Sequence, residues 1–269
     1  MDLSIRIGSF MKTRGWCASI VFLGMSLAGS TALAVPTKVT VMVRAKDAKF
    51  IGTSMAGALI TIRNADTGEL FAKGVTTGTT GDTEKTMKRP FQRGGSLSDE
   101  KSARFDATID ISEPTRLQIS GYGPLAQRQS AGTVSVTQWI VPGKHINSGD
   151  GILLEMPGFA VAILAPPAHL QLPEEELPRK IDVRANVIMM CGCPVTPGGV
   201  WDANRLEVGA LVRKNGKPDG GFPLGYAGES SQFTGSLEVK GKGVYEVTVY
   251  AYDPVNGNTG VDTTTVVVQ

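Results

Sequence analysis

The chain is 269 residues long, carries 27 Lys and Arg against 25 Asp and Glu, and holds 33 Gly, 15 Pro and only three Cys. Three of those cations and one of those acids fall within residues 1–34, so residues 35–269 balance at 24 of each. That balance excludes a basic surface built to hold nucleic acid or an anionic membrane, and a stretch of this length suits two domains of about 100 to 130 residues each.

Residues 1–34 read as an export signal. Arg6, Lys12 and Arg14 precede the apolar run "WCASIVFLGMSLAG", and "ALAV" supplies a small-residue cleavage site after Ala34. A mature chain starting near Val35 is expected, exported to a bacterial periplasm or to the extracellular space. The apolar run is shorter than the roughly 20 residues of a membrane-spanning helix, and no later stretch approaches it, so no span is expected in the mature chain. Cys17 leaves with the signal. The remaining pair, Cys191 and Cys193, would sit in an oxidising compartment where exposed free thiols do not persist.

After the signal, strand patterns dominate: "KVTVMVRA" (38–45), "ALITIRNA" (58–65), "RFDATIDI" (104–111), "TRLQISGY" (115–122), "TVSVTQWIV" (133–141) and "GILLEMPGFAVAIL" (151–164). They are rich in Val, Ile and Thr, alternate with period two and are separated by Gly, Pro, Asn and Asp. Residues 80–104 break the series with a long polar insertion, too long for an ordinary loop in a compact domain. Its "KRPFQR" sets an aromatic among cations, a pattern suited to a protein or glycan partner. His145 lies in a loop that ends in "NSGDG" (147–151), where oxygen ligands for calcium compete with plain turn chemistry.

"LAPPAHLQLPEEELPRKI" (164–181) has four prolines and an acidic triplet without alternation, and is expected to be a semi-extended linker over 165–180 that contains His169. Beyond it, "KIDVRANVIMMC", "RLEVGALVRK", "GSLEVKG", "GVYEVTVYAYD" and "GVDTTTVVVQ" predict a second set of short strands. The fold class expected is all-β: two β-sandwich domains in tandem, over 35–164 and 181–269, after a cleaved signal peptide.

Two segments carry family resemblances. "GKGVYEVTVYAYDPVNGNTGVDTTTVVV" (241–268) resembles the last two strands of bacterial immunoglobulin-like or PKD-like domains, through Tyr245, the alternating Val247 and Val249, the Asn-Gly hairpin and the final Thr/Val strand. "VTVMVRAKDAKFIGTSMAGALITIRNADTGELFAKGVTTGTTGDT" (39–83) is similar to transthyretin-like, carboxypeptidase-regulatory-like modules, with a "GALITI" strand, a "DTG" turn and a Gly/Thr segment. These resemblances imply sandwich folds and non-catalytic adhesion, scaffold or binding roles, and name no ligand.

"MMCGCP" (189–194) is the one segment with reactive chemistry. As a continued strand it would put Met189, Cys191 and Cys193 on one face and Met190 on the other. Two extended residues separate the cysteine Cα atoms by roughly 6.6 to 7 Å, the upper limit for a disulfide, so a bridge requires the chain to fold back at Gly192. Three readings stay open. The pair is a local disulfide, or an exchangeable thiol–disulfide pair, or a soft copper site of Cys191, Cys193 and Met189, with Met190 or His169 as helpers. No G-x-S-x-G elbow, H-E-x-x-H or Walker pattern occurs, so no enzyme class is indicated. The function expected is that of an exported, non-catalytic binding or assembly protein. A periplasmic copper-binding protein and a thiol–disulfide exchange protein are the alternatives.

Overall fold

Runs of β-branched residues at period two become sixteen strands in the computed structural model, which describes residues 33–269. Most of the expected export signal lies outside the described residues. Strands β1 (Val35–Ala45), β4 (Phe105–Ile111) and β7 (Ile152–Met156) form one sheet, with β1 central, antiparallel to β4 and parallel to β7. Strands β2 (Leu59–Asn64), β3 (Leu70–Val75), β5 (Thr115–Gly123) and β6 (Gly132–Ile140) form a second sheet in the order β3-β2-β5-β6, antiparallel throughout. Alternate residues of the two sheets face each other. Val41, Val43, Ile60, Ile62, Leu117 and Ile119 are all fully buried, each contributing about 1.5–3 kcal/mol by the usual transfer scale.

The second half repeats the plan. Strands β8 (Phe159–Ala165), β10 (Arg179–Met189), β13 (Gly225–Tyr226) and β14 (Gln232–Val239) pair in the order β13-β14-β10-β8. Strands β9 (Leu170–Leu172), β11 (Glu207–Lys214), β12 (Lys217–Pro223), β15 (Gly243–Tyr252) and β16 (Thr259–Val268) pair as β12-β11-β15-β16-β9. The molecule is all-β, built of β-sandwiches. Tyr245, expected to mark the immunoglobulin-like pattern, is buried, and its hydroxyl donates to the Gly241 carbonyl at 2.7 Å. This is the backbone tie of a tyrosine corner. The Asn-Gly segment does join the last two strands as a hairpin, β15 to β16.

Two expected boundaries move. "GILLEMPGFAVAIL" is two strands, not one: β7 closes the first half and β8 opens the second, paired with β10. The break falls at Pro157, which has no N–H to give a ladder, and Gly158, whose φ of +118° few other residues adopt. The expected linker 165–180 also proves to be part of the second half. Its Leu170 and Leu172, two residues apart, pair β9 in parallel with Val266 and Val268 of β16 despite the surrounding prolines. With β8 and β9 counted in, the second half begins at residue 159 and not at 181.

The insertion 80–104 is folded down over the first half. Thr77 bridges Arg104, Thr79 bridges Ser102, and a small second core of Met42, Phe50 and Ala103, with Leu97 against it, lies beneath. This cover explains why β1 is buried on both faces where alternation predicts one. "NSGDG" serves as its anchor: the Asp150 carboxylate accepts from Ser96 Oγ at 2.6 Å, Leu97 N at 2.9 Å and Ser98 N at 2.8 Å. Among the described residues, no helix is long and apolar enough to cross a membrane.

Candidate functional site

The Cys-Gly-Cys segment is a tight reversal at the end of β10. Gly192 N donates to Met189 O at 2.8 Å, Met189 N donates to Cys193 O at 3.0 Å, and Ile188 bridges Pro194 across the turn. Gly192 has φ +80°, and a side chain there would run into the Met55 thioether, whose Sδ lies 2.9 Å from the Cβ position. Folding back brings the two cysteine Cα atoms to 5.4 Å, within disulfide range, and their sulfurs are bonded to each other. The reversal ends strand alternation at Met189. Cys191, Cys193, Met189 and Met190 are therefore all buried, with no split between an inner and an outer face.

His169 does not join them. It stands exposed between β8 and β9 with φ +60°. No group of three or more His, Cys, Asp or Glu side chains among the described residues is disposed to hold a metal ion. With both sulfurs in a bridge, neither is a thiolate, the form that binds metal or attacks a disulfide. Their burial also restricts attack by an external thiol.

What the turn does touch is the other half of the molecule. Met55 belongs to a short 3-10 turn, Thr53–Met55, of the first half, and Met189 borders a cavity of about 10 Å³ with Phe159, Trp201, Arg205, Asp253 and Asp47. That is room for one water at most. Around it runs a polar clasp. Trp201 Nε1 donates to the Asp47 carbonyl at 2.8 Å, and Asn256 Nδ2 donates to Asp47 Oδ2 at 3.0 Å. Arg205 reaches both Asp253, at 2.6 Å, and Asp47, at 3.4 Å. Lys46 Nζ donates to Asn256 O at 2.7 Å, and Asn258 Nδ2 donates to Lys46 O at 3.0 Å. Asn258 Oδ1 in turn accepts from Gly158 N at 2.9 Å, fixing the chain where it passes between the halves.

The electrostatics fit a structural joint. Asp253 is almost fully buried, its side chain 3 % exposed, and its hydrogen bond to Arg205 is the main reason the guanidinium pKa is raised above its ordinary value. The 3-10 turn Ala203–Arg205 that delivers Arg205 is capped by Asp202, which accepts from Asn204 N and Gly198 N and is held below the usual carboxylate range by those bonds. "DPVNGNTGVD" thus spends its oxygen and nitrogen atoms on protein partners. The clasp was invisible to motif reading because its members lie up to 212 residues apart. The only local signals were the Asp-Ala-Lys turn after β1 and the Asn-rich hairpin, each ordinary by itself.

No protein-family model matches the chain, and no curated protein matches it in sequence. Among solved structures it is similar to an engineered protein, at 18% identity and a TM-score of 0.31, over 48% of this chain and 24% of that one. The chain thus spans about a quarter of the length of that protein. It is also similar to the fibronectin(III)-like modules of Clostridium thermocellum CbhA, at 12% identity and a TM-score of 0.28, over 79% of this chain and 78% of that one.

Proposed function

We propose that the chain is an exported, non-catalytic binding or assembly protein of a bacterial periplasm or cell surface, with a protein or a glycan as partner. The observation that carries the reading is the clasp around Asp47. It ties the first half to the second through side chains whose polar atoms are committed to one another, so the two sandwiches present their loops and sheet edges in a fixed relative geometry. A binding scaffold gains from this, because surfaces already held in place need less ordering when a partner docks. Export is supported by the signal-like residues 1–34 and by a disulfide, which persists in oxidising compartments.

The copper alternative draws on one added observation: the Met55 thioether approaches the Cys-Gly-Cys turn. Were the bridge reduced, two thiolates would lie in a turn that the Met55 thioether approaches, with Met189 and Met190 just before it in the chain, residue types suited to Cu(I). The thiol-exchange alternative uses the same two cysteines. The test is to isolate the native protein from the cell envelope without chelators, determine its N-terminus, and size it alongside the Cys191→Ser/Cys193→Ser variant. The account expects a start near Val35 and a partner complex that the variant retains. A lone monomer, or stoichiometric copper that the variant loses, would overturn it.

A further inference from the structure

The insertion 80–104 closes over a core of its own and yet leaves Phe91 64 % exposed. Phe91 lines a cavity of about 350 Å³ together with Pro90, Leu97 and the cations Lys85 and Arg89. Arg93 follows on the same loop. Residues 84–97 hold four cations and one acid, Glu84, in a molecule whose residues 35–269 are balanced overall. Glu84 is taken by Lys88 at 2.5 Å, and Lys85 donates to the Ser98 carbonyl. Arg89 and Arg93 form no ion pair among the described residues.

This loop is held at both ends. Asp82 accepts from Lys85 N at 2.7 Å, Thr86 Oγ1 donates to Leu97 O at 3.3 Å, and Asp150 takes the hydroxyl and two amides of residues 96–98. The slot is thus preorganised, and its aromatic wall costs little further ordering on binding. Exposed Phe and unpaired Arg are the residue types that anchor protein interfaces, an apolar contact ringed by charge.

We propose that this slot binds an acidic segment of a partner protein, with one apolar side chain entering between Phe91 and Leu97 and flanking carboxylates pairing with Arg89 and Arg93. The proposal rests on the binding reading above and names its partner class. Charge complementarity requires an anion. The apolar surface of Pro90, Phe91 and Leu97 favours a peptide over an acidic polysaccharide, which has no aliphatic side chain to insert. Nucleic acid is disfavoured because the cationic patch is confined to one loop.

The test is fluorescence anisotropy of residues 35–269 with a labelled twelve-residue peptide of Asp and Glu around a central Leu-Phe. The controls are the same peptide with Asn and Gln for the acids, polyglutamate and polygalacturonate. The acidic apolar peptide should bind, weaken with added salt, and lose roughly tenfold in affinity in the Arg89→Ala/Arg93→Ala variant, as two rim ion pairs would. Phe91→Ala should lose a similar factor, with the unfolding midpoint unchanged in both variants. Absence of binding, or binding indifferent to these substitutions, would overturn the proposal. So would equal binding of polyglutamate or polygalacturonate, which would mark a general polyanion surface. Sizing the Arg89→Ala/Arg93→Ala variant in envelope extract separates this slot from the broader reading. A partner complex that persists there rejects the slot alone, whereas a wild-type protein that forms no complex rejects the binding function too.

Discussion

Two polar loops meet opposite fates in this molecule. Residues 253–258 turn their Asp and Asn side chains inward, where Asp253 and Asn258 are buried and matched to Arg205, Lys46 and Gly158. In residues 84–97 it is Arg89, Phe91 and Arg93 that face outward and remain exposed. Loop polarity therefore predicts neither burial nor exposure. The decisive factor is whether a second segment supplies complementary groups, as the Lys46 and Asp47 turn does for the first loop, whereas no acid among the described residues pairs with Arg89 or Arg93 of the second.

The comparison breaks most readily at the junction core. Phe159→Ala removes a ring that is 2 % exposed where β8 begins, beside Met189 and the clasp. It should cost about 3–5 kcal/mol in a denaturant titration. Next comes Arg205→Ala, which strands the buried Asp253 carboxylate. A loss of about 2–3 kcal/mol is expected, from the hydrogen bond to a charged group and the acid left uncompensated, and Asp253→Asn in the same background should recover part of it. A loss under about 0.5 kcal/mol would mean that the clasp is a surface ion pair of the weak kind.

Smaller and more local effects belong to the insertion. Asp150→Ala should destabilise by about 1–2 kcal/mol, read as faster hydrogen exchange at the Leu97 and Ser98 amides with little change in the junction. Acid should act in the same direction. Burial by itself would raise the Asp150 pKa, but the bonds from Ser96, Leu97 and Ser98 outweigh it, and the folded value lies below the ordinary one. The stabilisation is complete above the unfolded value of about 4 and is lost as pH falls through the folded value. Protection of those amides, taken relative to their intrinsic exchange rate at each pH, should therefore fall only well into the acid range. The smallest effect is on stability in the Arg89→Ala/Arg93→Ala variant, expected to stay within about 0.5 kcal/mol of the parent because neither side chain holds the fold together.

The strands were readable wherever Val, Ile and Thr alternate, as in β1, β10 and β15. Strands β9 and β12 were not. The first is three residues inside a proline-rich stretch, and the second, "KPDGGFP", carries two prolines and two glycines at the edge of its sheet. Its position explains it, since an edge strand tolerates residues that a central one rejects. The passage from the first pair of sheets to the second was hidden because four prolines outweighed the single Pro157-Gly158 step, although only the latter lies between strands of the two pairs. For the Cys pair, chain geometry anticipated the fold-back at Gly192, a condition that local bond lengths impose. It had no means of anticipating Met55 or Asp47, since contacts across more than a hundred residues leave no local pattern.

If the clasp makes the two sandwiches one body, they unfold together. Differential scanning calorimetry of residues 35–269 should then show a single transition with equal calorimetric and van't Hoff enthalpies, splitting into two in the Arg205→Ala/Asp47→Ala variant. Two separate transitions in the unmodified protein would contradict it.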